Sequence, residues 1–464
     1  MASAIAPPAD ARAVHGVADR LPLTGADAFL LAFDAETRRR NGADHLSQLV
    51  LRLGRGFDTG SFERTLRAVV DANPILRAPI RRAGFVGRAE YRLDLAASNP
   101  GPAFSVYETG LPPPGAWEDE VTVPPLFAER LNELHPDGRA GLLRADAVRY
   151  ADGSTDLAFT WLHMLFDGWG SERFVELLAA CGEGARAPDD LPEADRPDAP
   201  PDVTLPASQR ARGNMAMAWQ RWMTNLGRMA VRSPAGPERG ARQDLAIGRV
   251  HLSETQSALA VRRASTLAGF LTPMIFYLGA AIRAHHAVMR ERDTVPESYV
   301  VPLPVNLRSK GGGGGIFRTR VSLLWFQVAS KSVDDLEALL GELKEQRLRA
   351  IREGMIQNGV AAMEYARAAP SRLYGSLARR ALRGELCSFF FAWTGEFCPG
   401  LERFFGAPVE DGFGVPSVPA SPGSGLVLSL HRGRLAYTHV RQRDAWRSGE
   451  LAVFDGQLAR DLLG

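Results

Sequence analysis

Between Trp161 and Gly170 the sequence reads Trp-Leu-His-Met-Leu-Phe-Asp-Gly-Trp-Gly, setting a histidine, a carboxylate and two glycines within one short stretch. An imidazole with an ordinary pKa of about 6.5 can take a proton from a hydroxyl or amine at neutral pH, the step an acyl acceptor needs before it attacks a carbonyl. Asp167 follows His163 closely enough to fix the turn that aims it, Gly168 allows close backbone packing, and Trp169 is expected to pack beneath that turn. The flanking pattern says what positions these groups. Leu157, Phe159, Trp161 and His163 fall on one face of a period-two run, so His163 ends a strand at the rim of an apolar space. Ser171 can cap a helix carrying Phe174, Leu177, Leu178 and Cys181 at helical spacing, which leaves Asp167 and Gly168 in the connecting turn.

Composition narrows the alternatives. A chain of 464 residues, 45% hydrophobic and 23% charged, is long enough for two lobes with separate cores. Fifty-five basic against fifty-three acidic side chains provide no overall field for nucleic acid or an anionic membrane. Cys181, Cys387 and Cys398 lack metal-type or CxxC spacing and read as reduced thiols in a cytoplasmic protein. His285 and His286 are adjacent and cannot share a helical face, so no metal site is expected. The first twenty residues read as a loose tail, not a signal peptide. Ala264 to Ile282 carries no charge, but Thr272 as cap and Pro273 at the first helical position describe a core helix, so no transmembrane segment is expected. No G-x-S-x-G elbow is present, which removes a serine hydrolase of that type.

Along the chain, Leu46 to Leu53 reads as a strand and Asp58 or Ser61 as the cap of a helix ending before Pro74. Leu142–Tyr150 and Leu157–His163 form a hairpin about Asp152-Gly153. Residues 207–232 bring Met215, Met217, Trp219, Trp222 and Met223 among several arginines. They are read as a helix packed on the second lobe with its arginines in solvent, and a basic amphipathic helix that lies on a membrane or grips a lipid tail is the sharper alternative. Ser253 to Gln256 offers a capping box, and Ser332 the cap of a long helix to about Ile356.

The spacing of His163, three residues, Asp167-Gly168 and then Trp169 resembles the HHxxxDG motif of the chloramphenicol-acetyltransferase-like superfamily. That superfamily includes nonribosomal-peptide condensation domains, wax ester synthase/diacylglycerol acyltransferases and polyketide-associated acyltransferases. Leu162 stands where the motif has its first histidine, and His163 matches the second, catalytic one. Leu21-Pro22-Leu23-Thr24, Asn73-Pro74-Ile75-Leu76-Arg77, Pro304-Val305-Asn306-Leu307-Arg308 before the glycines 311–315, and Trp393-Thr394-Gly395 are similar to further segments of these proteins. Asp411-Gly412-Phe413-Gly414 shares residue types with the DFGWG of plant BAHD acyltransferases, in another order and without the tryptophan.

The resemblance implies an α/β (α+β) fold of two chloramphenicol-acetyltransferase-like lobes, each a mixed sheet with flanking helices, forming a V with a tunnel at the interface. Residues 21–182 would be the first lobe, the acidic, proline-rich 183–206 the linker and 207–464 the second lobe. It implies transfer of an acyl group from a coenzyme A or phosphopantetheinyl carrier thioester, a co-substrate and not a permanently bound cofactor, to a hydroxyl or amine. His163 would be the general base, and an acyl or peptidyl carrier protein could act in trans. Arg77 is the expected partner of Asp167, with Arg308 and Trp169 in support. Thr394 or a backbone N–H near Gly168 would hold the oxyanion, worth about 3 kcal/mol in such sites, and Asn306 would line the tunnel. The loss of the first histidine motivates one alternative, a catalytically silent relative that binds a carrier protein or partner enzyme.

Overall fold

The computed structural model describes residues 19–464 apart from 83–86, 100, 114–120, 136–142, 197–198, 200, 237–241, 271, 309–313, 372, 374–378 and 420. The expected tail, as far as residue 18, and Gly311 to Gly313 therefore lie outside the described residues.

The first part of the chain forms β1 (Arg20–Pro22), α1 (Gly25–Asn41), β2 (Leu46–Leu53), α2 (Thr59–Ala72), β3 (Ile80–Arg82), β4 (Ala89–Arg92), β5 (Ala103–Glu108), β6 (Val121–Thr122), α3 (Pro125–Leu131), β7 (Leu143–Arg149), β8 (Thr155–Leu162) and α4 (Gly168–Gly182). The second forms α5 (Gln209–Leu226), β9 (Leu245–His251), α6 (Glu254–Ala268), α7 (Pro273–Glu291), β10 (Ser298–Asn306), β11 (Val321–Ala329), α8 (Leu336–Arg352), α9 (Met355–Ala366), β12 (Phe390–Glu396), β13 (Arg403–Phe404), β14 (Ala407–Val415), β15 (Ser424–His431), β16 (Arg434–Gln442) and α10 (Glu450–Leu463).

Two mixed sheets dominate. One runs β13-β14-β2-β8-β7-β5 and the other β12-β15-β16-β9-β6, with a small β1-β4-β3 sheet and the β10-β11 hairpin beside them. β8 is buried along its whole length. Leu157, Phe159 and Trp161 face α2 and α4 through Phe62, Leu66, Phe174 and Leu178, while Ala158 meets Val50 and Phe413 on the opposite face. Burial on both faces fixes the register, because a one-residue slip would exchange the two sets.

Local signals account for many element ends. Asp58 caps α2 by accepting the Ser61 N–H at 2.9 Å, and Ser253 and Gln256 form the expected capping box on α6. α7 begins on Pro273 as a buried core helix, although the Thr272 hydroxyl donates to the Ala268 carbonyl and does not cap it. Among the described residues no single helix is long and apolar enough to cross a membrane. The long helix expected from Ser332 is two helices: Asp335 caps α8, which stops at Arg352, and Gly354, at φ 63°, turns the chain into α9.

The expected division at 183–206 separates α4 from α5 but does not separate the sheets. β14 hydrogen-bonds to β2 in the first sheet, and β6 pairs with β9 in the second. Residues 207–464 are thus not confined to one lobe. Where β14 passes the second sheet, Asp411 receives Arg249 through two bonds of 3.0 Å and His251 at 2.9 Å, and Arg249 lies 4.4 Å over the Phe413 ring. Burial opposes ionisation of Asp411, but Arg249 and His251 outweigh it and hold the carboxyl well below the usual range.

Removing one partner from a buried ion pair leaves the other charge uncompensated. Asp411→Asn should therefore lower unfolding stability by about 3–5 kcal/mol, read as a fall in the denaturant midpoint at unchanged slope.

Candidate active site

The antiparallel register of β2 and β8 sets Leu46 opposite Leu162, so the next pair outward is His45 and His163. The His163 N–H donates to the His45 carbonyl at 3.1 Å, and the two imidazoles lie with ring centroids 5.2 Å apart. His163 Nδ1 is 3.4 Å from the Phe166 carbonyl oxygen. A carbonyl can only accept, so that contact assigns the proton to Nδ1 and leaves the Nε2 lone pair free. Burial lowers the pKa of His163, with Phe166 and Asp167 pulling it partly back, so the net shift favours the neutral imidazole. Burial, and then His163 itself, hold His45 well below 6.5.

Sequence reasoning missed His45. Its only signal is that it immediately precedes β2, the strand that pairs with the one leading into His163. Leu162, at the position of the motif's first histidine, packs with Leu21, Leu31, Tyr91 and Met164 in an apolar cluster.

Asp167 is the cap of α4, accepting the Gly170 N–H at 2.8 Å on Oδ1. This corrects the expectation for Ser171, whose hydroxyl lies inside the helix and donates to the Gly168 carbonyl. Oδ2 of Asp167 accepts Arg308 Nη1 at 2.9 Å and the Arg320 N–H at 2.8 Å. The partner of Asp167 is therefore Arg308 and not Arg77. Arg77, in the turn after α2, sits 3.2 Å from Asp71 and belongs to a different part of the lobe.

Arg308 also donates to the Gly315 carbonyl at 2.8 Å and to Asn306 Oδ1 at 3.3 Å, while its buried Nη2 has no protein partner among the described residues. The close packing assigned to Gly168 falls on Gly170 instead. Nothing lies within 4 Å of where a Gly168 Cβ would be, whereas a Cβ on Gly170 would come inside 3.0 Å of the Ile316 carbonyl oxygen.

The segment after the glycines is bound by its amides to the turn after β8, to α1 and to the linker. Ile316 and Phe317 donate to Asp195 in the linker, Arg318 to the Leu165 carbonyl, Thr319 to Asp27 on α1, and Arg320 to Asp167. Gly314 and Gly315 lie against the side chains of Arg308 and Arg320, so this end of the loop is packed. Arg318 is held at φ 72°, a left-handed conformation costly for any residue with a Cβ, by its 2.7 Å bond to Leu165.

His163, Asp167, Gly168, Trp169 and Thr394 all border one cavity of about 1080 Å³ between the sheets. A second cavity of about 310 Å³ adjoins it, with Trp169, Pro304, Trp393 and Thr394 common to both and Asn306 lining only the smaller. Trp169 thus stands at the junction and does not lie beneath the loop. Thr394 Oγ1 is 3.5 Å from the Leu428 carbonyl oxygen, a weak contact that leaves the hydroxyl available. Glu172, one turn along α4, was also not anticipated. It borders the large cavity and accepts the Cys398 N–H at 3.2 Å, and burial pushes its carboxyl up to about 8 against that amide.

Two mixed sheets, a strand passing from one into the other and a histidine at a strand's end beside the cavity between them make an architecture that solved condensation-domain and acetyltransferase structures share. Solved structures agree over nearly the whole chain. The first condensation domain of the calcium-dependent antibiotic synthetase is similar at a TM-score of 0.66, 14% identity and coverage of 97% of this chain and 96% of that one. The trichothecene 15-O-acetyltransferase of Fusarium sporotrichioides gives 0.67 at 12% identity, covering 96% and 95%. The epimerization domain from the third module of tyrocidine synthetase B gives 0.57 at 14%, covering 96% and 95%. No family model matches the sequence, and no curated protein matches it.

Two outcomes follow from this geometry. Gly170→Ala should cost about 1–3 kcal/mol of stability by forcing the 316 carbonyl away, whereas Gly168→Ala should not, as thermal melts of the pair would show. A carboxyl raised in the folded state holds its proton more tightly folded than unfolded. Glu172 should therefore make stability fall as pH rises from 4.5 towards about 8, and Glu172→Gln should flatten that slope in melts taken across the same range.

Proposed function

We propose that the protein is a condensation-type acyltransferase that moves an acyl group from a coenzyme A or carrier-protein thioester to a hydroxyl or amine. The observation that carries this reading is the placement of His163, with Nδ1 turned to the Phe166 carbonyl and Nε2 left as the free nitrogen in a residue lining the cavity. Nε2 removes the acceptor proton as the acceptor oxygen or nitrogen bonds to the thioester carbon. The tetrahedral intermediate then breaks its C–S bond, and the imidazolium returns the proton to the departing thiolate. No covalent enzyme intermediate is needed.

The opening amides of α4 at Gly168 and Trp169 and the Thr394 hydroxyl are the donors near enough to the cavity to serve the oxyanion. Asp167 is spent on Arg308, Arg320 and Gly170 and acts as a positioning residue. The condensation domains and the acetyltransferase of similar fold support this reading. The smaller cavity, with Arg347 and Asn306 in its wall, suits the arm of the donor thioester, and a carrier protein would act in trans. The silent, binding-only reading rests on Leu162, and the same experiment separates the two.

Thiol release from acyl-coenzyme A donors should fall by about 10²- to 10⁴-fold in His163→Ala without loss of fold. Because burial lowers the histidine pKa, wild-type kcat should be level through neutral pH and decline only below pH 6.5. Release indifferent to His163, or absent with both coenzyme A and carrier-loaded thioesters, would instead favour the binding-only protein.

A further inference from the structure

The large cavity extends well beyond the reacting groups. Away from the junction with the smaller cavity its walls include Phe29 and Phe33 of α1, Trp219 and Met223 of α5, Met363 of α9 and Trp325 of β11, none of which borders the smaller cavity. Those six side chains are uncharged, while Arg380 and Arg383 also border the large cavity and not the smaller one. Its volume is kept open by small residues on the two covering helices, Ala216 on α5 and Gly359 and Ala362 on α9. At Gly359 the fit is close, since a Cβ would stand 3.2 Å from both the Trp219 indole nitrogen and the Ser322 hydroxyl.

α5 is the methionine- and tryptophan-rich helix, and the apolar groups on it are incompletely covered by protein: Met217 borders the cavity and is 57% exposed. Apolar surface held open inside a molecule is a binding surface by chemistry, and about 1080 Å³ exceeds what a drug-sized ligand ordinarily fills, roughly 300–1,000 Å³. A small acyl group with a small acceptor would leave most of this wall wet.

We infer that the wing between α1, α5 and α9 holds a long aliphatic or comparably bulky apolar group, brought either by the acyl donor or by the acceptor. The inference rests on the acyl-transfer reading only for which substrate carries the group; the binding itself does not require catalysis. Flexible Met217, Met223 and Met363 shape the wing to a chain, and the indoles of Trp219 and Trp325 border the bound group.

The test has a binding arm and a kinetic arm, both on the full chain. Bromine-substituted stearate should quench tryptophan fluorescence saturably in the wild type, and at least tenfold more probe should be needed in Ala362→Phe or Ala216→Phe. These variants fill the wing from opposite helices, and each is first shown to melt cooperatively. In the kinetic arm, coenzyme A thioesters of two to sixteen carbons are compared at a fixed acceptor, then aliphatic alcohols and amines of rising length at a fixed acetyl donor. The series that enters the wing should gain about fourfold in kcat/KM per added methylene until the wing is full, and each variant should lower the long-to-short ratio at least tenfold. Steep dependence on donor length assigns the wing to the acyl chain, and on acceptor length to the acceptor. Quenching that the variants abolish, without thiol release from any donor, would uphold the wing and sink the acyl-transfer reading. No saturable quenching together with flat dependence in both series would overturn the inference.

Discussion

Five consecutive amides, from Ile316 to Arg320, are tied to acceptors elsewhere in the chain: Asp195, the Leu165 carbonyl, Asp27 and Asp167. Three of the four acceptors are carboxylates, and such charge-assisted bonds are about twice as strong as neutral ones. The ladder fixes the relation of three distant pieces of chain, namely α1, the turn after β8 and the linker. Arg308, Arg318 and Arg320 supply the compensating charge to Asp167, Asp27 and Asp195. The turn that carries His163 is therefore held from the second half of the molecule, and the orientation of Phe166 and Leu165 follows from it. Gly170 belongs to the same constraint, because only a residue without a side chain lets the Ile316 carbonyl approach α4.

His163 is held on the other side by strand pairing. β2 and β8 continue their register by one pair beyond Leu46 and Leu162, and that pair is two histidines. Desolvation lowers the pKa of both imidazoles, and the nearby His163 ring adds to the effect on His45. The motif histidine missing at Leu162 is not replaced at its own position, which is filled with apolar contacts. A second imidazole instead reaches His163 from the neighbouring strand.

What could be read from the sequence was local. The strand ending on His163, the cap at Asp58, the capping box at Ser253 and the hairpin about Asp152-Gly153 each depend on residues a few positions apart, and the structure contains them. The pairing of Asp167 depends on which of two arginines reaches it in space. Arg77 and Arg308 look alike in type and motif context, and only the packing of the 314–320 segment against α4 decides for Arg308. Asp167 and Ser171 were both able to cap α4; the choice fell to the carboxylate because it also had Arg308 and Arg320 N–H to satisfy. Glu172 and His45 carried no spacing signal at all, since each acquires its environment from residues more than a hundred positions away.

The passage of β14 into the first sheet also bears on how the chain acquires its structure as it is made. β2 lies between β8 and β14, and residues 407–415 are synthesised long after β2 and β8. Until they emerge from the ribosome, one edge of an apolar strand carrying Leu49, Leu51 and Leu53 has no hydrogen-bonding neighbour, a surface on which other chains can template. The first lobe is thus encoded early and completed late, and the nascent protein passes through a stage at which shielding of that edge, by a chaperone or by fast elongation, decides its yield.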